Sequence, residues 1–119
     1  MGACGDALRF VIREDETEEF VPKGHVKCTT KKFLMKEHGA FKMSILRSDF
    51  EEGGYAEPHT HEVEQAYYVL EGSMRVTIGD DEYDVGPHTV VFFPPKVVHS
   101  LKNTGNGRLS LVAINAPPL

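Results

Sequence analysis

The 119-residue chain has no tryptophan and only two cysteines, Cys4 and Cys28. Two thiols cannot build a disulfide framework, so a stable fold has to rest on a packed core. They are read as reduced thiols, which fits a cytoplasmic protein. Long apolar runs are missing too, which argues against a membrane-spanning helix and a signal-peptide core. The start Met1-Gly2-Ala3-Cys4-Gly5-Asp6 has Asp6 where a myristoylation signal wants Ser or Thr. No apolar stretch precedes Cys4 to serve as a lipid-anchor signal. Basic charge is short as well: 13 Lys and Arg stand against 18 Asp and Glu, a formal net charge of −5. That balance argues against nucleic acid and membrane surfaces as partners. Helix-period patterns are scarce, and there is no repeat, no low-complexity segment and no sign of a second domain.

What is present belongs to one ordinary globular domain. Apolar residues make up 40% and charged residues 26% of the chain, a balance typical of such domains. A chain of this size buries roughly two-thirds of its unfolded surface and needs no staples. The first forty residues mix short apolar stretches with an acidic run, Glu14 to Glu19, which reads as a solvated turn or edge. Val26, Cys28 and Thr30 then share one parity, with lysines on the other. From position 41 the alternation strengthens. Phe41, Met43 and Ile45 alternate with Lys42 and Ser44, which predicts a half-buried strand with the apolar set inward. Met74, Val76 and Ile78 alternate with Ser73, Arg75 and Thr77. The stretch from Thr89 to Phe93 is continuously apolar and predicts a strand buried on both faces, with Phe92 and Phe93 in the core. Gly53-Gly54, Glu71-Gly72, Gly79-Asp80-Asp81, Gly86-Pro87 and Pro94-Pro95 punctuate these runs. Short strands at this spacing predict an all-β sandwich or barrel.

The chemistry concentrates in four residues. In an extended segment side chains alternate, so His59-Thr60-His61 puts two imidazoles on one face. Gln65 shares their parity, but four residues of straight strand span about 13 Å, too far for one ion. A bend at Glu62-Val63-Glu64 is therefore required. His99 follows Pro94-Pro95 on a later strand. Three imidazoles and one oxygen donor suit a first-row transition metal, with water or substrate completing the shell.

Gly53-x5-His59-x-His61-x3-Gln65-x6-Gly72 resembles the first conserved motif of the cupin superfamily. Gly86-x7-Pro94-x-Lys96-x2-His99-x3-Asn103 resembles the second. The likeness covers residues 41–114 well and the first forty weakly. It implies a double-stranded β-helix, or jelly-roll, barrel over residues 41–119. Residues 1–40 then form an N-terminal extension and edge strands of the same domain. It also implies that His59, His61, Gln65 and His99 hold one divalent ion, with Mn, Fe, Ni, Zn and Cu all compatible. Two positions depart from the pattern. Gln65 stands where the family usually has Glu, and Lys96 replaces the Gly of the Pro-x-Gly turn, where it would project at the barrel rim. A neutral Gln leaves a divalent ion its full charge, which favours a small anionic ligand.

Other residues carry less. His25, His38 and His88 lack ligand spacing and read as surface or turn histidines. Glu62 and Glu64 read as solvated loop carboxylates. Tyr67 shares parity with Gln65 and is a candidate lining residue. Arg47 shares parity with Met43 and Ile45, which makes it a second candidate, to be set against a strand end turning into solvent. Asn103 is read as a turn residue bonding its own backbone. The functional expectation is an enzyme of dioxygenase, decarboxylase, isomerase or cyclase type. The alternatives are a non-catalytic metal or small-molecule binding module and a metal-free sugar-binding cupin. Such small barrels commonly form homodimers by sharing N-terminal strands, and Val26 to Leu34 is the candidate segment.

Overall fold

The computed structural model describes residues 10–119, so Cys4 and the segment 1–6 lie outside the described residues. The strands among the described residues are β1 (Glu18–Phe20), β2 (His25–Leu34), β3 (Ser44–His59), β4 (Glu64–Glu71), β5 (Met74–Ile78), β6 (Asp81–Val85), β7 (Val90–Phe93), β8 (His99–Asn103) and β9 (Leu109–Ala116). Short 3-10 turns occupy Glu14–Glu16 and Lys36–His38. Every pairing is antiparallel, and the order β6-β5-β8-β3-β9-β4-β7 curls into a jelly-roll barrel, with β2 and β1 added beside β3.

β3 is the corner. One of its edges pairs with β2 over residues 45–56. The other pairs first with β9 over residues 44–50 and then with β8 over residues 55–59. The fork between β9 and β8 opens where Gly53 takes a left-handed φ of 82°, which glycine adopts without steric cost. Asn103, at the end of β8, closes the fork. Its Nδ2 donates toward the carbonyls of Phe50 (3.2 Å), Glu51 (3.1 Å) and Gly107 (2.8 Å), and its Oδ1 accepts from Gly105 N at 3.0 Å. The turn role read from the sequence is the Gly105 bond, and the bridge across the fork is added to it. Gly72 turns β4 into β5 at φ 86°, where a β-carbon would meet Arg108 O at 2.5 Å.

The core lies inside the barrel around Phe50, Val69, Met74, Val76, Phe93, Leu109 and Leu111, all essentially solvent-free. Met74, Val76 and Phe93 were expected there, and Ile78 packs against them from the margin. Two expectations are corrected. Val90 and Phe92 point outward and are 64% and 51% exposed. β7 belongs to a single-layer wall with only one inner face, so Val91 and Phe93 alone turn inward. The parity of β3 is also the reverse of the one predicted. The strand starts at Ser44, Phe41 is 88% exposed, and Ser44, Ser48 and Phe50 are the buried set. The small polar side chains go inside because the barrel offers them partners: Ser44 accepts from Asn115 Nδ2, and Ser48 bonds Thr30 Oγ1.

Candidate metal centre

Strand register explains why distant residues meet. His59 closes β3 and His99 opens β8, and the two are direct partners across the ladder. Directly opposed antiparallel residues share a face, with β-carbons about 5 Å apart. Their rings stand 4.4 Å apart by centroid. His61 follows in the turn after β3, 4.8 Å from the His59 ring and 5.4 Å from that of His99. One ring nitrogen from each of the three lies within 4.8 Å of the others. The required bend falls at Glu62 and Val63, and Lys96 N donates to His61 O (2.8 Å), tying that turn to the one before β8. Lys96 makes the bond at φ 66°, so a lysine holds a left-handed turn position that favours glycine.

Gln65, the second residue of β4, lines one cavity with His59 and His61. It pairs in register with Asn115, which pairs in turn with Ser44, so the three form one rung inside the barrel. All three are buried. Gln65 Nε2 donates to Asn115 Oδ1 (2.8 Å), and Asn115 Nδ2 donates to Ser44 Oγ (3.2 Å). The amide nitrogen of Gln65 is thereby engaged, and its Oε1 is left facing inward.

Two buried side-chain atoms among the described residues have no hydrogen-bond partner: Gln65 Oε1 and His99 Nε2. An orphaned buried polar atom costs about 1–3 kcal/mol. These two are the donor atoms that a metal ion would take up. The histidine tautomers agree. His59 Nδ1 donates to Glu57 O (2.6 Å) and His99 Nδ1 to Val97 O (3.0 Å), which leaves each Nε2 with a free lone pair. Backbone carbonyls orient metal-binding imidazoles in this way. Burial, then the neighbouring His59, His99 and His25, push His61 down to about 4. Burial is also the main cause that lowers His99, offset in part by its bond to Val97. Both rings are neutral near neutral pH, as ligands must be. The residues present therefore fit a divalent ion.

A cavity of about 370 Å³ opens beside this cluster, walled by Phe20, Met35, Leu46, Tyr67 and Ala113. Tyr67 lines it and packs edge-on against Phe93 at 4.7 Å. Arg47 does not join it. On the outward parity of β3, Arg47 pairs with Glu14 (3.3 Å) and Asp49 (3.4 Å). Glu62 is exposed, its nearest cation Lys96 at 3.9 Å, and Glu64 is exposed as well.

Sequence reasoning missed His25. It lines the cavity with its ring 5.8 Å from His59 and is half-buried, and burial lowers its pKa. Its position follows from pairing with Ala56, three residues before His59, a long-range register that no local spacing announces. His38 and His88 match the surface reading: His38 Nδ1 accepts from Met35 N, and His88 contacts the exposed Tyr68 hydroxyl.

Residues 46–115 match the family described as Cupin domain. The chain belongs to the cupin family. It is 30% identical over 78 residues to an uncharacterized protein of Methanocaldococcus jannaschii, covering 65% of this chain and 62% of that one. It is 38% identical over 61 residues to the mannose-1-phosphate guanylyltransferase RfbM of Salmonella typhimurium, covering 51% of this chain and 12% of that enzyme. The chain thus spans less than two-thirds of either relative. Among solved structures, the polyketide cyclase RemF of Streptomyces resistomycificus superposes with a TM-score of 0.81 at 22% identity, over 92% of this chain and 80% of that one. A predicted oxalate decarboxylase of Thermotoga maritima gives 0.79 at 23% identity, over 91% and 99%. At such identities the likeness establishes the cupin fold. No helix among the described residues is long and apolar enough to cross a membrane.

Proposed function

We propose that this cupin holds one divalent transition metal ion through His59, His61, Gln65 and His99 and acts as a metal-dependent enzyme on a small, oxygen-rich anion. The observation that carries the reading is the pair of orphaned buried donors: Gln65 Oε1 belongs to a residue that lines one cavity with His59 and His61, and His99 Nε2 to a residue that clusters with the same two imidazoles. A bound ion would supply Lewis-acid polarisation of a substrate oxygen, chemistry that serves oxygenases, decarboxylases, isomerases and cyclases alike.

The protein's own contribution is positional. Glu57 O and Val97 O fix two imidazoles in the tautomer that frees Nε2. Asn115 fixes the Gln65 amide with its oxygen inward. All four donors are uncharged, so the ion's charge is uncompensated by its ligands and selects an anion. Tyr67 and Phe93 close the inner wall and keep water from that side. One feature favours a second reading, a binding module without turnover: among the described residues no Asp or Glu side chain lines the cavity to move a proton.

The test is elemental analysis of protein purified without an affinity metal, beside a His59→Ala/His61→Ala double variant. About one metal per chain, lost in the double variant, is expected. Absence of metal in the parent protein even after reconstitution would sink the reading. Iron or manganese directs assays to oxygen-dependent chemistry, and zinc or nickel to isomerase and lyase chemistry. Stoichiometric binding without turnover of any such substrate would establish the binding-module reading.

A further inference from the structure

Lys32 has no use in the metal centre. Among the described residues it is nevertheless the only side chain of fixed charge lining the cavity, and no Asp or Glu side chain lines the cavity with it. It sits on the inward parity of β2 with Cys28 and Thr30. Across the ladders Lys32 pairs with Leu46, Leu46 with Ala113, and Ala113 with Tyr67. That rung lies directly next to the rung of Ser44, Asn115 and Gln65. Lys32 is half-buried as a residue, and its ammonium lies 5.0 Å from the centroid of the Phe20 ring.

Its neighbours leave it available. Lys31 is taken by Glu14 and Glu19, and Arg47 by Glu14 and Asp49. Glu18 stands opposite Lys32 in the β1–β2 register, and Lys32 also borders the adjoining outer groove with Glu16, Glu18 and Glu37. Lys32 forms no ion pair with any of these glutamates, and among the described residues it has no carboxylate partner. A partly buried lysine without a paired carboxylate carries a desolvation cost that a counter-charge offsets. Phe20 offsets part of that cost through its ring face.

Resting on the metal reading above, we infer that Lys32 is the specificity residue that seats a carboxylate of the substrate. The substrate class is then an organic acid with a compact apolar body. Its carboxylate meets Lys32 and a second oxygen donor faces Gln65 and the histidines. Phe20, Leu46 and Tyr67 pack the body between the two ends. A cavity of about 370 Å³ suits a single small metabolite and not a polymer.

The test is calorimetric titration of the zinc-loaded protein with protocatechuate (a catechol bearing a ring carboxylate), its uncharged amide, and plain catechol. The parent protein is compared with Lys32→Met and Lys32→Arg, and metal content and melting temperature are checked for each. Lys32→Gln stands in if Lys32→Met does not fold. The parent should prefer the acid over the amide by about tenfold or more. Lys32→Arg should keep that preference, Lys32→Met should lose it, and catechol should bind all three alike. An acid preference that survives in Lys32→Met, or is absent from the parent, overturns the proposal, and equal catechol binding then leaves the metal reading standing. Catechol without affinity, alongside an acid preference still lost in Lys32→Met, supports Lys32 and overturns chelation at the metal. Binding of no probe overturns both.

Discussion

Asn115→Leu separates a ligand role for Gln65 from a merely structural one. In the native barrel Gln65 Nε2 donates to Asn115 Oδ1 at 2.8 Å, and Asn115 donates to Ser44 at 3.2 Å. Leucine is close to asparagine in size but offers neither bond. Gln65 is 5% exposed and Ser44 0%, so water does not replace what is lost. An unpaired buried amide donor costs about 1–3 kcal/mol, and the metal-free protein should lose about 2 kcal/mol in urea unfolding. The second effect falls on the metal. Without Asn115 the Gln65 amide is free to turn its nitrogen inward, where it cannot ligate. Loss of such a supporting partner weakens metal binding by about 10- to 100-fold, which is about 1.4–2.8 kcal/mol. Zinc competition against a chromogenic chelator reads this directly. Asn115→Asp keeps an acceptor for Gln65 Nε2 and should recover most of the affinity, though not the stability, because it buries a charge. If Asn115→Leu lowers stability while zinc affinity stays within about twofold of the parent, Gln65 is not a ligand and the orphaned Oε1 needs another explanation.

Four further outcomes are expected. Gln65→Glu should bind divalent ions more tightly yet prefer anionic over neutral ligands less, since its charge offsets the ion's; chelator competition and paired titrations check both. Lys96→Gly should raise stability by about 1 kcal/mol, because it relieves a left-handed lysine at φ 66° and keeps the backbone bond to His61; an unchanged urea midpoint would refute this. Asn103→Ala should cost about 3 kcal/mol, because it strips carbonyls at the β3 fork and frees Gly105 N; a loss below about 1 kcal/mol would show that the fork holds without it. The metal-free protein should also lose stability in mild acid. His61 is held down to about 4 and His25 and His99 are lowered from 6.5, chiefly by burial. Below 6.5 the unfolded chain takes up protons that the folded one does not, so stability falls as pH drops toward about 4, and these groups have no effect above 6.5. A urea midpoint that is flat between pH 7.5 and 5 would contradict the burial of these rings.

The fold class was legible because turn residues and two-residue alternation are local signals. Met74 and Val76 fell where alternation put them, and the Gly53, Gly72 and His59-x-His61 spacings carried the family. Alternation failed at β3. There Phe41 and Met43 lie outside while Ser44 and Ser48 lie inside, so the polar parity is the buried one. It failed again at β7, where a continuous apolar run does not reveal that the wall is a single layer. His25, Asn115 and Lys32 were invisible for a different reason. Each reaches the cavity through a pairing with another strand more than ten residues away, His25 with Ala56, Asn115 with Gln65 and Lys32 with Leu46.

These failures have a common physical origin. A barrel that is only a core would bury apolar parity on every strand, and sequence patterning would locate it. This barrel is apolar around Phe50, Met74 and Leu111 and polar around Gln65, Asn115 and Ser44. A buried amide is tolerated only when its hydrogen-bonding capacity is met. In the Ser44–Asn115–Gln65 rung the one buried side-chain atom left without a partner is Gln65 Oε1, and His59 and His99 each spend Nδ1 on a backbone carbonyl and keep Nε2 free. A polar interior satisfied everywhere but at converging donors is costly as packing and useful only as a site. The parity reversal in β3 and the candidate metal centre are therefore one feature, seen first as an exception to a pattern and then as its cause.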